Sequence, residues 1–227
     1  MSAVIVTLSK FPDVFEGLSE SVELHEPGRK VVVFSGDAHD HLERAAVGWE
    51  QVCGVEPFVF ARNANLGIRA AAPSDVLLIN DDCRLTGPLV AELERLSREN
   101  PEFGLIAPQV RGGVGNRFQR EQWRPSDLTV STERLAFVCV FIPRSTLDLV
   151  GLLDERFTGY GGDDVDYCHR VRAAGLKLGI TGRATVVHGD GRSSFSTSFS
   201  RVMTPGERSR SMGEMEEMFR RKHGLGK

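Results

Sequence analysis

At 227 residues, the chain suits one domain and can bury roughly 70% of its unfolded surface. Hydrophobic residues make up 41% and charged residues 26%, the balance of a soluble globular protein. It has no run of 18 or more apolar residues, and its start, MSAVIVTLSK, has no charged segment leading into a long apolar one. Neither a spanning helix nor a secretory signal is expected, and a cytoplasmic protein is. Cys53, Cys83, Cys139 and Cys168 are widely spaced. That spacing argues against a disulfide framework or structural zinc and for buried, reduced thiols.

Taken in chain order, short apolar runs rich in β-branched residues alternate with helical patterns. Val4–Val6, Val31–Phe34, Phe58–Phe60 and Val76–Ile79 predict four strands, each continuous enough to be buried on both faces of a parallel sheet. Crossover helices are expected in Asp40–Val52 and Gly67–Ala72. Leu89, Leu93 and Leu96 mark a helix after the fourth strand. This alternation predicts a doubly wound α/β sheet. Gly104–Ala107 and Leu135–Ile142 predict further strands, and Arg111–Leu128 reads as an irregular excursion. Asp164–Ala174 predicts a short helix stopped by Gly175, and another strand is expected to end at His188. The Gly- and Ser-rich stretch after it reads as a mobile loop, followed by a helix over Glu207–Lys222.

Three constellations carry candidate chemistry. Asn80-Asp81-Asp82 follows an apolar strand, where open α/β sheets bind ligands. Two adjacent carboxylates there are either ligands of a hard divalent cation shared with substrate phosphates, or a solvated turn capping the next helix. Asp163, Asp164 and Asp166 open a helix behind Gly161-Gly162. The helix N-terminus favours such charge, and the cluster is either the place of a fixed general base or a charged cap. His188 closes a strand, as a metal ligand or a structural imidazole.

Together these stretches resemble the inverting glycosyltransferase family 2, whose fold is the nucleotide-sugar (GT-A) fold. The matching residues are Asn65-Leu66-Gly67, VLLINDDCRL (76–85) and VGLLDERFTGYGGDDVDYCHRVRAAGLKLGITGRATVVH (150–188). The last block carries Gly-x-x-Asp-Glu-x-Phe, an acidic pair before Val-Asp, then Arg, Gly and a closing His 24 residues beyond Asp164. The resemblance runs from about residue 3 to 190. It implies a mixed, Rossmann-like central sheet flanked by helices, a GT-A domain over 1–190, and a basic loop and helix over 191–227.

The resemblance further implies that Asp82 and His188 ligate Mn²⁺ or Mg²⁺, that Asp164 is the catalytic base, and that Asp163 orients the acceptor. Asn65, Gly67, Asn80 and Asp81 would contact the donor, a nucleoside diphosphate sugar with UDP-sugars foremost. Asp37 would read the base, although Ser35-Gly36-Asp37 matches the family's turn poorly. A nucleotidyltransferase of related fold is disfavoured, because Thr7–Phe11 has no glycine cluster. A non-catalytic nucleotide-sugar-binding module is disfavoured because Asp82, Asp164 and His188 are all kept.

Residues 192–227 carry eight Lys/Arg against four Glu, although the whole chain is −3, and Arg111–Arg124 holds four Arg. Those patches are either solvated surface or a sign of an anionic acceptor. The acceptor classes in play are a saccharide, hydroxymethylated pyrimidine in viral DNA, or a protein or small molecule. Oligomeric state is not encoded in any motif.

Overall fold

The computed structural model describes residues 2–35, 46–113, 116–121, 127–131, 134–191 and 197–226. Three of the four predicted strands form as β1 (Val4–Ser9), β2 (Lys30–Phe34) and β4 (Val76–Asn80), and β3 (Glu50–Cys53) extends them. β2, β1 and β4 run parallel with Val6 opposite both Val31 and Leu78. Every residue of β1 is buried, because the pleat sends successive side chains into two different cores. Ile5, Val32, Leu77 and Ile79 feed one core; Val4, Val6, Val31, Val33 and Leu78 feed the other.

The first core is covered by α1 (Pro12–His25) through Phe15, Leu18 and Val22, and by α3 (Val90–Glu99) through Val90, Leu93 and Leu96. The second is covered by α2 (Phe60–Ala70), α4 (Arg144–Val150) and α5 (Asp163–Ala173). Among the described residues the sheet continues past β4 through β8 (Cys139–Ile142), β6 (Phe103–Arg111), β9 (Lys177–His188) and β5 (Cys83–Leu85), with β7 (Thr129–Val130) also on β9. β8 runs antiparallel to both β4 and β6, so the sheet is mixed, as the resemblance implied.

Several expectations fail locally. Phe58–Phe60 is not a strand: Val59 caps α2 and Phe60 opens it. The apolar pattern was real, but its aromatics serve a cavity described below. The helix expected over Asp40–Val52 is contradicted at its end, where Glu50–Cys53 pairs with β2; residues 36–45 lie outside the described part. Helix α1 was not anticipated, although Pro12 at its start and Phe15, Leu18 and Val22 on one face are its signature.

The stretch read as a mobile loop contains, in its described part, helix α6 (Thr197–Val202). It is followed by α7 (Pro205–Lys222), which begins two residues earlier than expected because Thr204 and Glu207 form a reciprocal capping box with Pro205 between them. No helix among the described residues is long and apolar enough to cross a membrane.

Candidate active site

The acidic strand end is placed by two ladders. β4 pairs with β1 up to Leu8 opposite Asn80, so the acidic residues emerge where β1 ends at Ser9. β5 pairs antiparallel with β9 so that Cys83 faces His188. Asp82, one residue earlier, is thereby brought to the imidazole, with Asp82 Oδ1 3.4 Å from His188 Nε2. Both residues are buried.

Gly113 O lies 2.7 Å from His188 Nδ1. A carbonyl only accepts, so Nδ1 carries a proton, and Nε2 is the ring atom turned towards Asp82. That Nε2 is a buried atom without a hydrogen-bond partner among the described residues. Burial pushes the His188 pKa down, and the Asp82 carboxylate outweighs it, so the value lies above the ordinary one. A carboxylate oxygen and an imidazole nitrogen facing each other out of water call for a positive charge between them, which a second ring proton or a hard divalent cation supplies. Among the described residues no group of three or more His, Cys, Asp or Glu is arranged to hold a metal. Among the described residues Asp82 and His188 thus stand as a pair and not as part of a larger cluster.

Asp81 points elsewhere. It accepts hydrogen bonds from Ser9 Oγ at 2.8 Å and Ser198 Oγ at 3.0 Å. Burial, then the neighbouring Asp82 charge, push its pKa up to about 7. Thr197 N donates to Asp82 Oδ2 at 2.6 Å. Helix α6 is thus fastened across the acidic residues, and Arg201 pairs with Asp13 at its far end.

The second centre is the start of α5. Gly161 and Gly162 sit at φ 86° and 90°, a region that L side chains rarely adopt, and they turn the chain into the helix. Asp163 is buried and Asp164 half-buried in its first turn. Burial, then repulsion from Asp164, raise the Asp163 pKa. Burial also raises that of Asp164, opposed by the Arg134 charge. Arg134 reaches this place because Leu135, beside it, bonds to Cys168 of α5 through its N–H at 3.3 Å.

Two adjoining cavities meet at Asn80, Tyr160 and Phe199, which line both. The first, about 210 Å³, has His188, Asp163, Asp164 and Arg134 in its wall. The second, about 330 Å³, runs past Asp81 to Lys10, Phe11, Glu56 and Phe58, within the range of about 300–1,000 Å³ for small-molecule sites. Phe199 stacks edge-on against Tyr160 at 4.7 Å and Phe58 at 6.1 Å.

Asn80, Asp81, His188, Asp163 and Asp164 line these two cavities, and Asp82 joins them through His188. Asn65 and Gly67, which the resemblance assigned to the donor, line neither cavity. Asn65 is buried on α2, where its amide bonds Leu153 O at 2.9 Å, Leu153 N at 3.0 Å and Glu155 Oε1 at 2.9 Å. Gly67 lets α2 lie on the sheet, since a Cβ there would come 2.4 Å from Val6 Cγ1. Asp37 lies outside the described residues.

Residue-by-residue reading passed over Ser9, Ser198, Tyr160, Phe199, Arg134, Met212 and Glu216, the last two from α7. Met212, Met215 and Phe219 recur on one face of that helix, a legible sign that it docks.

No protein-family model matches the chain, and no curated protein matches it. Solved structures do. GalNAc-T7 crystallised with UDP, GalNAc and Mn²⁺ superposes with a TM-score of 0.69 at 12% identity, covering 97% of this chain and 50% of that one. Residues 1–349 of TarS from S. aureus give 0.63 at 10% identity over 95% and 71%. The mannosyltransferase PcManGT from Pyrobaculum calidifontis, with GDP-Man and Mn²⁺, gives 0.63 at 15% over 83% and 56%. The fold is GT-A. This chain spans about half the length of the GalNAc-T7 chain.

Proposed function

We propose that the protein is a metal-dependent, inverting glycosyltransferase of family 2 type. It would move a sugar from a nucleoside diphosphate sugar, a UDP-sugar first, to an acceptor hydroxyl. The observation that carries this reading is the buried His188 Nε2 facing Asp82 Oδ1 at 3.4 Å, beside a cavity whose wall also holds Asp164. The GT-A neighbours crystallised with Mn²⁺ and nucleotide or nucleotide sugar support it.

Asp82 and His188 would hold Mn²⁺ or Mg²⁺, which when bound supplies positive charge for the diphosphate leaving group. The larger cavity, with its aromatic walls, takes the nucleoside, and Asn80 at the junction contacts the ribose or sugar. Asp164 accepts the proton of the acceptor hydroxyl. That oxygen bonds to the anomeric carbon as the bond to the diphosphate oxygen breaks, and the electron pair leaves with the nucleoside diphosphate. A single displacement from the face opposite the leaving group inverts configuration. Asp163, behind the base, orients the acceptor, and Tyr160 and Phe199 exclude water from the reacting centre.

The test is nucleotide release from UDP-glucose, UDP-N-acetylglucosamine, UDP-N-acetylgalactosamine and GDP-mannose, with Mn²⁺ and with excess chelator. Release from at least one sugar that stops in chelator is expected. Full release in chelator contradicts the metal site, and no release from any sugar contradicts the transferase reading.

A further inference from the structure

The C-terminal helix α7 is built into the catalytic cavity by several independent contacts. Met215 and Phe219 bury against Phe157 and Val165. Ser211 Oγ accepts the Tyr160 N–H at 2.6 Å. Two glycines before the acidic pair exist to admit the helix. A Cβ on Gly159 would stand 2.5 Å from Ser211 Oγ, and one on Gly162 2.9 Å from Met215 Cβ. The far end is pinned to the helix that bears Asp164. Asp166, fully buried in α5, accepts from Lys222 and from His223 at 2.8 Å, and Lys222 also reaches Asp154 at 2.8 Å. Met212 and Glu216 thereby become part of the wall around Asp164.

We propose that α7 is the acceptor-reading wall of this cavity, that Glu216 is its specificity-determining side chain, and that the acceptor is an uncharged, polyhydroxylated ring. This rests on the glycosyltransferase reading above. Arg220 engages one Glu216 oxygen, Oε1, at 3.1 Å in a half-exposed pair, which leaves Oε2 to accept from a ligand at the solvent-facing rim of the cavity. Asp163 and Asp164 stand in the same wall with Arg134 and His188. Ring hydroxyls donate to such carboxylate oxygens, whereas a phosphodiester has no proton to give them. Tyr160, Phe137 and Met212 offer apolar surface to a ring's C–H face. Five of the basic residues that pointed to an anionic acceptor pair with carboxylates within the protein: Arg201 with Asp13, Arg220 with Glu216, Arg221 with Glu217, Lys222 with Asp166, and Arg111 with Glu121.

The experiment uses the full chain with Mn²⁺ and whichever nucleotide sugar it hydrolyses. Stimulation of nucleotide release is measured with methyl glycosides of glucose, galactose, mannose and N-acetylglucosamine, and with duplex DNA containing 5-hydroxymethylcytosine. We expect at least one glycoside to stimulate release. Glu216→Ala raises its KM about tenfold more than it raises the donor KM, the size of a lost charge-assisted hydrogen bond. Glu216→Gln, which keeps an acceptor oxygen, recovers most of the loss, and Glu217→Ala, outside the cavity wall, leaves both KM values alone. Stimulation by the DNA alone, by no glycoside while donor hydrolysis continues, or an equal rise in both KM values overturns the proposal. Absence of donor hydrolysis altogether instead overturns the transferase reading on which it stands.

Discussion

The two sides of the proposed catalytic cavity are constructed differently. On the Asp82–His188 side, strand ladders set the geometry: Cys83 opposite His188, and Asn80 opposite Leu8. Each side chain leaves a backbone tied into the sheet, so its position is over-determined. On the Asp164 side, a glycine turn, a short helix and α7 are held by side-chain contacts, chiefly Lys222 and His223 on buried Asp166. One side of the reaction thus rests on backbone hydrogen bonding, the other on a few charges and a packed helix face. Chemistry common to many donors suits the first kind of construction. Discrimination among acceptors suits the second, which single substitutions can retune.

The largest effect that separates the two sides is expected at Asp164. Asp164→Asn keeps the shape of the cavity and removes the base, so transfer should fall by about 10²–10⁴-fold while Mn²⁺-dependent donor binding, measured by thermal shift, persists. Transfer at the wild-type rate in this variant would remove Asp164 from the base's role.

A smaller effect sharpens the contrast through stability. Burial and the Asp164 charge raise the Asp163 pKa in the folded protein, so the native state holds its proton to higher pH than the unfolded chain does. Asp163 therefore contributes most favourably below the ordinary carboxylate range, and that contribution is lost as pH rises through its raised value. At pH 8 the buried carboxylate is ionised against its preference. Asp163→Asn should stabilise the fold there, raising the melting temperature at pH 8. The gain should shrink towards pH 4. Equal melting-temperature changes at both pH values would show that Asp163 carries no such burden.

Legibility in the sequence follows the same division. The apolar runs that make β1, β2 and β4 announce themselves, because burial on both faces leaves no polar alternation, and the acidic tripeptide after Ile79 was placed by them. The pairing of Cys83 with His188 was not legible, since a three-residue strand has too little pattern to reveal its partner. Phe58–Phe60 looked like a strand by composition, yet tertiary demand turned it into a helix start that walls a cavity. Asn65 and Gly67 were assigned to the donor by resemblance, whereas their surroundings show an amide clamp on Leu153 and a close helix–sheet approach. Gly161 and Gly162 stood only as the lead into the acidic helix, and Gly159 carried no signal. Two of them are small because Ser211 and Met215, some 50 residues later, need the space, a dependence that local sequence does not contain.

The central claim is that one cation, held by two side chains, sits between the donor diphosphate and the sheet. A crystal of the protein grown with Mn²⁺ and UDP, measured for manganese anomalous scattering, tests it most directly. The account predicts one strong peak bonded to an Asp82 carboxylate oxygen and to His188 Nε2, at about 2.0–2.3 Å from each, with phosphate oxygens completing the shell. Manganese bound at another place, or UDP seated in the larger cavity with His188 Nε2 still bonded to nothing but protein, would contradict it.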